Sequence, residues 1–297
     1  MLGNEVITKQ VKCRKSVQCI EIHENYIFSG GDRRLRFWNY LNKQRKLKSL
    51  SSHSGTITSL LFADNQLISS SEDKTIKVWD HQTRKCTKTI QCHDQPLSCL
   101  AIFDDGSRLI SGSPNGSILM WSLETGEDVT LNTHGQAITG LAIYDNNTLV
   151  SAANDECIRL WDLEKMECLI SLRGHQKEIL SLIVNKATKQ IFSGGVDKTV
   201  RCWDVEKCNC TATLEVPHPV LCLDSNDDIL VAGLDNGTVI IWDLYTHLEL
   251  RRIEVFSNSC VTCLKIDDTG NIACGGNKLI KVVLFDAQDK DSARRSS

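Results

Sequence analysis

With 297 residues, 41% hydrophobic and 24% charged, and a net charge of −3, the chain has the apolar content for a large core and no overall charge that dictates a partner. No apolar run nears the roughly 18 residues of a membrane-spanning helix, and the opening MLGNEVITKQ lacks the basic-then-apolar order of a signal peptide. Fourteen cysteines spread from Cys13 to Cys274 read as reduced thiols, not a secreted disulfide framework, so an intracellular location (cytoplasm, nucleus or both) is expected.

The first predicted element is a strand-like segment over about 4–13 that belongs to no repeat. From about 14 to 286 the sequence repeats. Trp38, Trp79, Trp121, Trp161, Trp203 and Trp242 are separated by 41, 42, 40, 42 and 39 residues, and Val283 takes the same place 41 residues past Trp242. About twenty residues before each comes a small residue among apolar ones: Cys19, Ser59, Cys99, Gly140, Ser181, Cys222 and Cys263, at intervals of 40 or 41. Two landmarks in phase define seven units.

In the second unit TITSLLF, NQLISSS, TIKVWD and CTKTIQ alternate or cluster apolar residues over strand lengths, with EDK and DHQTR as turns. No segment sustains a 3.6-residue period, so helices are expected to be nearly absent. The prediction is an all-β fold: a seven-bladed β-propeller of four-stranded antiparallel blades, whose radial order leaves only short edges. The last unit has no room for a fourth strand, so the 4–13 segment is expected to supply it and close the ring. Residues 287–297 make a short polar tail, and 1–297 reads as one domain.

The recurring block, with a histidine upstream and DKTIKVWD or DECIRLWD at its end, resembles the WD-repeat family over essentially the whole chain. The resemblance implies a propeller that assembles other macromolecules. It also implies a buried hydrogen-bonded chain in each blade, from His through Ser/Thr and Asp to Trp. Unit two offers His53, Ser71 (or Ser69), Asp73 and Trp79. Unit four offers His134, Ser151, Asp155 and Trp161, and unit five His175, Ser193, Asp197 and Trp203. Units three and six keep His93 with Trp121 and His218 with Trp242, but have Asn115 and Asn236 in place of Asp. Unit one has Asp32 and Trp38 without the His, and unit seven, with Asn277 and Val283, lacks the chain.

Ser, His and Asp in one block also spell a hydrolase triad, which needs a single activated nucleophile beside an oxyanion hole. A set that recurs once per repeat is a clamp, so neither enzymatic activity nor a catalytic residue is expected. CVTC (Cys260, Cys263) and CNC (Cys208, Cys210) approach metal-ligand spacing. Residues three apart on a strand face opposite sides, however, and no second pair follows; neither a metal nor another cofactor is expected. Cys19, Cys99, Cys222 and Cys263 share one repeat position, and Cys86, Cys168 and Cys210 another, and both sets read as small core residues. GSPNGS (112–117) lacks the lysine of a phosphate loop.

Charge is uneven along the chain. Residues 1–50 carry eleven Lys/Arg against four Asp/Glu, which leaves 23 against 33 in the remaining 247. Arg33 and Arg34 follow Asp32 at a turn, with Lys43, Arg45, Lys46 and Lys48 beyond. Such a cluster is a candidate for docking an acidic or phosphorylated peptide or RNA. No aromatic side chains interleave the charges as stacking platforms, so RNA is not the favoured partner, and a solvated edge is the simpler reading.

The rim of the central channel is the second candidate surface. Gln18, Thr58, Ser98, Thr139, Leu180, Leu221 and Thr262, each beside a repeated small residue, are expected to face the channel, and Glu72, Asn154 and Asp235 to ring the same face. The expected function is a non-enzymatic scaffold, a monomeric propeller that binds other proteins within a larger complex and makes no membrane contact. One alternative is a substrate receptor of a ubiquitin ligase. Against it, WNYL, WDHQ, WSLE, WDLE, WDVE and WDLY all lack the arginine of W-D-x-R, and no F-box helix pair precedes the repeats. The other alternative is a subunit of an RNA-processing or ribosome-assembly particle, motivated by the basic first unit. A G-protein β subunit is disfavoured, since no N-terminal coiled-coil helix is evident.

Overall fold

The computed structural model describes residues 7–41, 48–51, 53–91, 94–103, 106–123, 125, 127–131 and 134–284. Every regular element among them is a strand, and 28 strands form seven four-stranded antiparallel sheets. The chain is a seven-bladed β-propeller. Blade 2 sets the pattern: Ile57–Ala63 is innermost, followed outward by Gln66–Ser71, Thr75–Asp80 and Cys86–Gln91. Its alternating segments become strands because each sheet buries both faces against its neighbours, and only the outermost strand is half solvated.

The turn between second and third strands is built from sequence in a consistent way. Its third residue lies in the left-handed region: Lys74 (φ 69°), Glu156 (64°), Lys198 (63°) and Lys278 (61°), with Gly116 and Gly237 at 88°. An Asp or Asn just before it caps the turn, as Asp73 Oδ1 accepts from the Thr75 amide at 3.1 Å and Asn115 Oδ1 from the Ser117 amide at 3.0 Å. Where Asn caps blades 3 and 6, glycine follows and takes the positive φ without strain.

The ring closes as expected. Ile7–Lys12 pairs antiparallel with Leu279–Leu284, in register from Ile7↔Leu284 to Lys12↔Leu279, and becomes the outer strand of blade 7. The part of the predicted 4–13 segment before residue 7 lies outside the described residues. The inner strand Cys263–Ile266 of that blade packs beside Cys19–His23 of blade 1.

The repeated small residues find a steric reason in the ladder. Each pairs directly with a residue of the second strand: Cys19↔Gly30, Cys99↔Gly112, Cys222↔Gly233 and Cys263↔Gly275, but Ser59↔Ser70, Gly140↔Ala152 and Ser181↔Gly194. Opposite every thiol stands a glycine. A Cβ on Gly233 would lie 2.6 Å from Cys222 Sγ and 2.6 Å from Val261 of the next blade, well inside van der Waals contact. Burial pushes the thiols of Cys99 and Cys263 up to about 12, so these sulfurs act as unreactive packing groups.

Cys86, Cys168 and Cys210 correct the expectation that they are core residues. Cys86 and Cys168 are exposed and Cys210 half-buried. Each faces its blade's tryptophan where the outer strand slips register. There the thiol donates to the carbonyl two residues on: Lys88 at 3.3 Å, Ile170 at 3.6 Å and Ala212 at 3.2 Å. The register slip brings each sulfur within reach of that carbonyl. All thirteen described cysteines are free.

Candidate interaction face

The loop before each inner strand and the turn between second and third strands meet at one end of the propeller. In blades 2, 4 and 5 they are locked by a relay of side chains. Trp79 Nε1 donates to Ser69 Oγ at 2.9 Å, Ser69 Oγ lies 2.8 Å from His53 Nε2, and His53 Nδ1 is 2.9 Å from Asp73 Oδ2. Trp161–Ser151–His134–Asp155 repeats this at 2.7, 2.6 and 3.0 Å, and Trp203–Ser193–His175–Asp197 at 2.8, 2.7 and 2.8 Å.

The donors and acceptors fit only one direction. The indole can only donate, so the serine hydroxyl donates its own hydrogen bond to Nε2, and the neutral imidazole donates from Nδ1–H to the carboxylate. Burial accordingly holds His53, His134 and His175 below the usual histidine value, against the pull of their aspartates. Burial alone would raise Asp73. Bonds from Thr75 Oγ1 (2.7 Å) and the Ser54 amide (2.8 Å), with His53 beside it, win and hold its carboxyl well below the usual range.

The assignment of Ser71 to this relay needs correcting, because Ser69 is the bridge. Ladder register decides between them: both serines share the face of Leu67, which pairs with Trp79, and Ser69 is the nearer of the two to the indole while Ser71 lies beyond it at the turn. Ser71 Oγ instead accepts from the Asp73 amide at 3.1 Å and holds the turn.

A backbone bond identifies the histidine's place in the other blades. The His53 amide donates to the Arg33 carbonyl of the preceding turn, and the same bond runs from Cys13 to Lys278, Val216 to Lys198 and Val255 to Gly237. In blade 6 the place is therefore held by Val216, not His218. With Ala232 where the serine would be, Trp242 sits in a wholly apolar cluster. His218 lies outside the relay, 3.2 Å from Asp235. In blade 1 Cys13 replaces the imidazole, Arg36 takes over Asp32 with a 2.8 Å bond, and Trp38 Nε1 has no partner among the described residues. Blade 3 keeps Trp121 Nε1 on Ser111 Oγ at 2.8 Å; His93 lies outside the described residues. In blade 7 Val283 is fully buried at the tryptophan position.

Two sets of residues escaped the sequence reading. A basic residue stands four after the turn acid: Arg36 pairs with Asp32, and Arg159 reaches Asp155 at 2.9 Å. The signal was present as D-x-x-x-[KR], shared by Lys77, Arg201 and (after Asn277) Lys281. The second set lies on the channel wall, where Lys265 Nζ sits 3.7 Å from Glu21 Oε2 and 3.8 Å from Asp224 Oδ2, across blades 7, 1 and 6. Their signal is a charge two residues after the repeated small position, where other units have Leu61, Ala101, Ala142 and Ile183.

The candidate partner residues gather at the end bearing the relays. Glu72, Asn154 and Asp235 are exposed, and their amides make the same bond to the loop before the inner strand, at Thr56, Ala137 and Pro219. Arg33 and Arg34 are exposed in the equivalent turn of blade 1. Thr58, Thr139, Leu180 and Leu221 occupy bulges in their inner strands. Several hydroxyls are already engaged: Thr58 with Ser70 (3.0 Å), Thr139 with the Ala152 carbonyl (3.2 Å), and Ser98 and Thr262 with Ile138 and Val17 of the next blade (2.7 and 2.5 Å). Gln18 is exposed, and Leu180 and Leu221 are half-buried.

Repeated blades pinned by an indole-to-carboxylate relay define a propeller of the WD class. Comparison with known proteins agrees. A model of the WD domain, G-beta repeat, matches residues 127–162, 166–204 and 208–243, and a TEP-1 C-terminal beta-propeller model matches 53–123. The chain belongs to the WD-repeat family. It is 25% identical over 207 residues to cell division control protein 4 of Saccharomyces cerevisiae, covering 61% of this chain and 26% of that one. It is 26% identical over 235 residues to mitochondrial division protein 1 of Schizosaccharomyces pombe (69% and 32%). Over 238 residues it is 26% identical to autophagy-related protein 16 of Arabidopsis thaliana (75% and 46%). The matched region spans less than half the length of each of these relatives. Among the described residues no helix is long and apolar enough to cross a membrane.

Proposed function

We propose that the propeller is a non-enzymatic protein-interaction platform, a monomer that assembles other proteins on the face carrying the relays. The observation that carries this reading is the rigid display of that face. Turns bearing Glu72, Asn154 and Asp235 are tied by one recurring backbone bond to the loops before their inner strands, and in blades 2 and 4 the His–Asp pairs anchor those loops as well. A surface whose backbone is already fixed loses little conformational entropy on binding.

The groups able to do chemistry are otherwise occupied. The serine hydroxyls that donate to the imidazoles are fully buried under the indoles, so no substrate reaches them. The relatives' names, in cell division, mitochondrial division and autophagy, point to varied processes rather than one reaction.

The test compares proteins captured from cell extract by the wild type, by Glu72→Lys/Asp235→Lys, and by Lys165→Glu/Lys207→Glu on the opposite face. A specific set of proteins held by the wild type and the control, and lost by the first variant, is the expected result. The same set held by all three would sink the proposal.

A further inference from the structure

At the seam where the ring closes, three backbone segments bring their cations together. The loop after the closing strand is stitched to blade 7 by bonds from the Cys13 amide to the Lys278 carbonyl (2.8 Å) and the Val17 amide to the Gly276 carbonyl (3.2 Å). It is stitched to blade 1 by the Gln18 amide on the Gly30 carbonyl at 2.8 Å. It lies so close that a Cβ on Gly31 would stand 2.0 Å from the Ser16 carbonyl oxygen. Lys12, Arg14, Lys15, Arg33, Arg34 and Lys278 are all exposed here.

Within residues 12–18, 31–34 and 276–278 the single acid is Asp32, and Arg36 holds its carboxylate from below. One cation ends the closing strand, two come from the loop, two from the blade 1 turn and one from the blade 7 turn, so the patch exists only because the first and last units meet.

We propose that this seam docks a short carboxylate-rich segment of a partner protein, an inference that rests on the platform reading and gives it a partner chemistry. Guanidinium groups favour planar carboxylates through paired hydrogen bonds. Two observations favour such a segment over nucleic acid. None of the residues in the three segments is aromatic, so bases have nothing to stack on. The other 283 residues of the chain carry a net −8, and a long polyanion leaving the patch meets that field.

Fluorescence anisotropy with a labelled hexaglutamate peptide tests this on the full chain. Binding is expected to weaken roughly tenfold or more in Arg33→Glu/Arg34→Glu and between about 50 and about 300 mM salt, and to persist in Lys165→Glu/Lys207→Glu. Absence of binding, equal loss in the control variant, or tighter binding of oligouridylate or of a phosphoserine peptide than of hexaglutamate through Arg33 and Arg34 overturns it. Circular dichroism of each variant separates lost binding from lost fold. If hexaglutamate fails while Glu72→Lys/Asp235→Lys still loses its captured proteins, the inference falls and the platform stands. If that variant loses nothing, the platform reading itself falls.

Discussion

Charging His175 would make Nε2 a donor aimed at Ser193 Oγ, an oxygen that already receives the Trp203 indole proton. The serine proton would then need a new acceptor in a fully buried site, at a cost of about 1–3 kcal/mol. The folded state therefore keeps the three imidazoles neutral below the pH at which the unfolded chain protonates them. Because the folded value is lowered, stability is complete above the ordinary histidine value of about 6.5 and falls as pH drops through it, by up to about 1.4 kcal/mol per unit for each imidazole. Urea unfolding followed from pH 7.5 to 5.5 should show this fall, and His175→Gln should reduce its slope by about one proton. A flat profile would mean the imidazoles charge inside the fold. The lowered carboxyls of Asp73 and Asp197 add a second loss, below the usual carboxylate range.

The same relay ranks substitutions within blade 2. Asp73→Ala removes the acceptor for Thr75, the Ser54 amide and the imidazole, and is expected to cost about 2 kcal/mol. Ser69→Ala strands both an indole N–H and Nε2, so it should cost at least as much, whereas Ser71→Ala loses one turn bond and should cost about 1 kcal/mol or less. Equal denaturation midpoints for the two serine variants would contradict the observed geometry. The family motif located the aspartate and tryptophan in sequence, but it left two serines in play. Choosing between them needs the pairing of Leu67 with Trp79, which a run of SSS does not reveal.

At the scale of strands, the inner ladder trades volume between partners. Cys faces Gly four times, and where Gly140 replaces the thiol the partner grows to Ala152. Gly233→Ala is expected to destabilise by about 1–3 kcal/mol through overpacking. Introducing Cys222→Gly as well should recover part of that loss, a coupling of at least about 0.5 kcal/mol in a double-mutant cycle. Additive costs would show that the sulfur is not what fills the space. The 41-residue period and the strand alternation made the blades legible from sequence. The bulges were not legible, and Cys86 and its two counterparts looked like core because their spacing from tryptophan is constant, although they lie on the outermost, half-solvated strand. His218 misled in the opposite way, since a histidine near the expected place does not reveal that the backbone puts Val216 there.

Over the whole molecule, the ring is held at one place by a strand from the far end of the sequence. Deleting residues 1–13 removes the six-residue pairing with Leu279–Leu284 and exposes the edge of the third strand of blade 7. The shortened protein is expected to lose stability and to self-associate. Sedimentation showing a monomer with an unchanged thermal midpoint would contradict this. The first and last blades lie outside the segments matched by the family models, yet they supply both the closure and the basic seam. Sequence alone showed the basic charge of the first unit; that Lys278 joins it follows from closure.

The register Ile7↔Leu284 also fixes where the chain enters and leaves. Both points lie side by side at the rim opposite the relays, because Lys12 and Leu279 occupy the relay end of the same strand pair. Ile7 and Leu284 are thus held side by side beneath the ring, a strand spacing of about 5 Å apart. Labels at positions 7 and 284 lie away from the displayed face, and a pair of fluorophores there would report directly on whether the ring is shut.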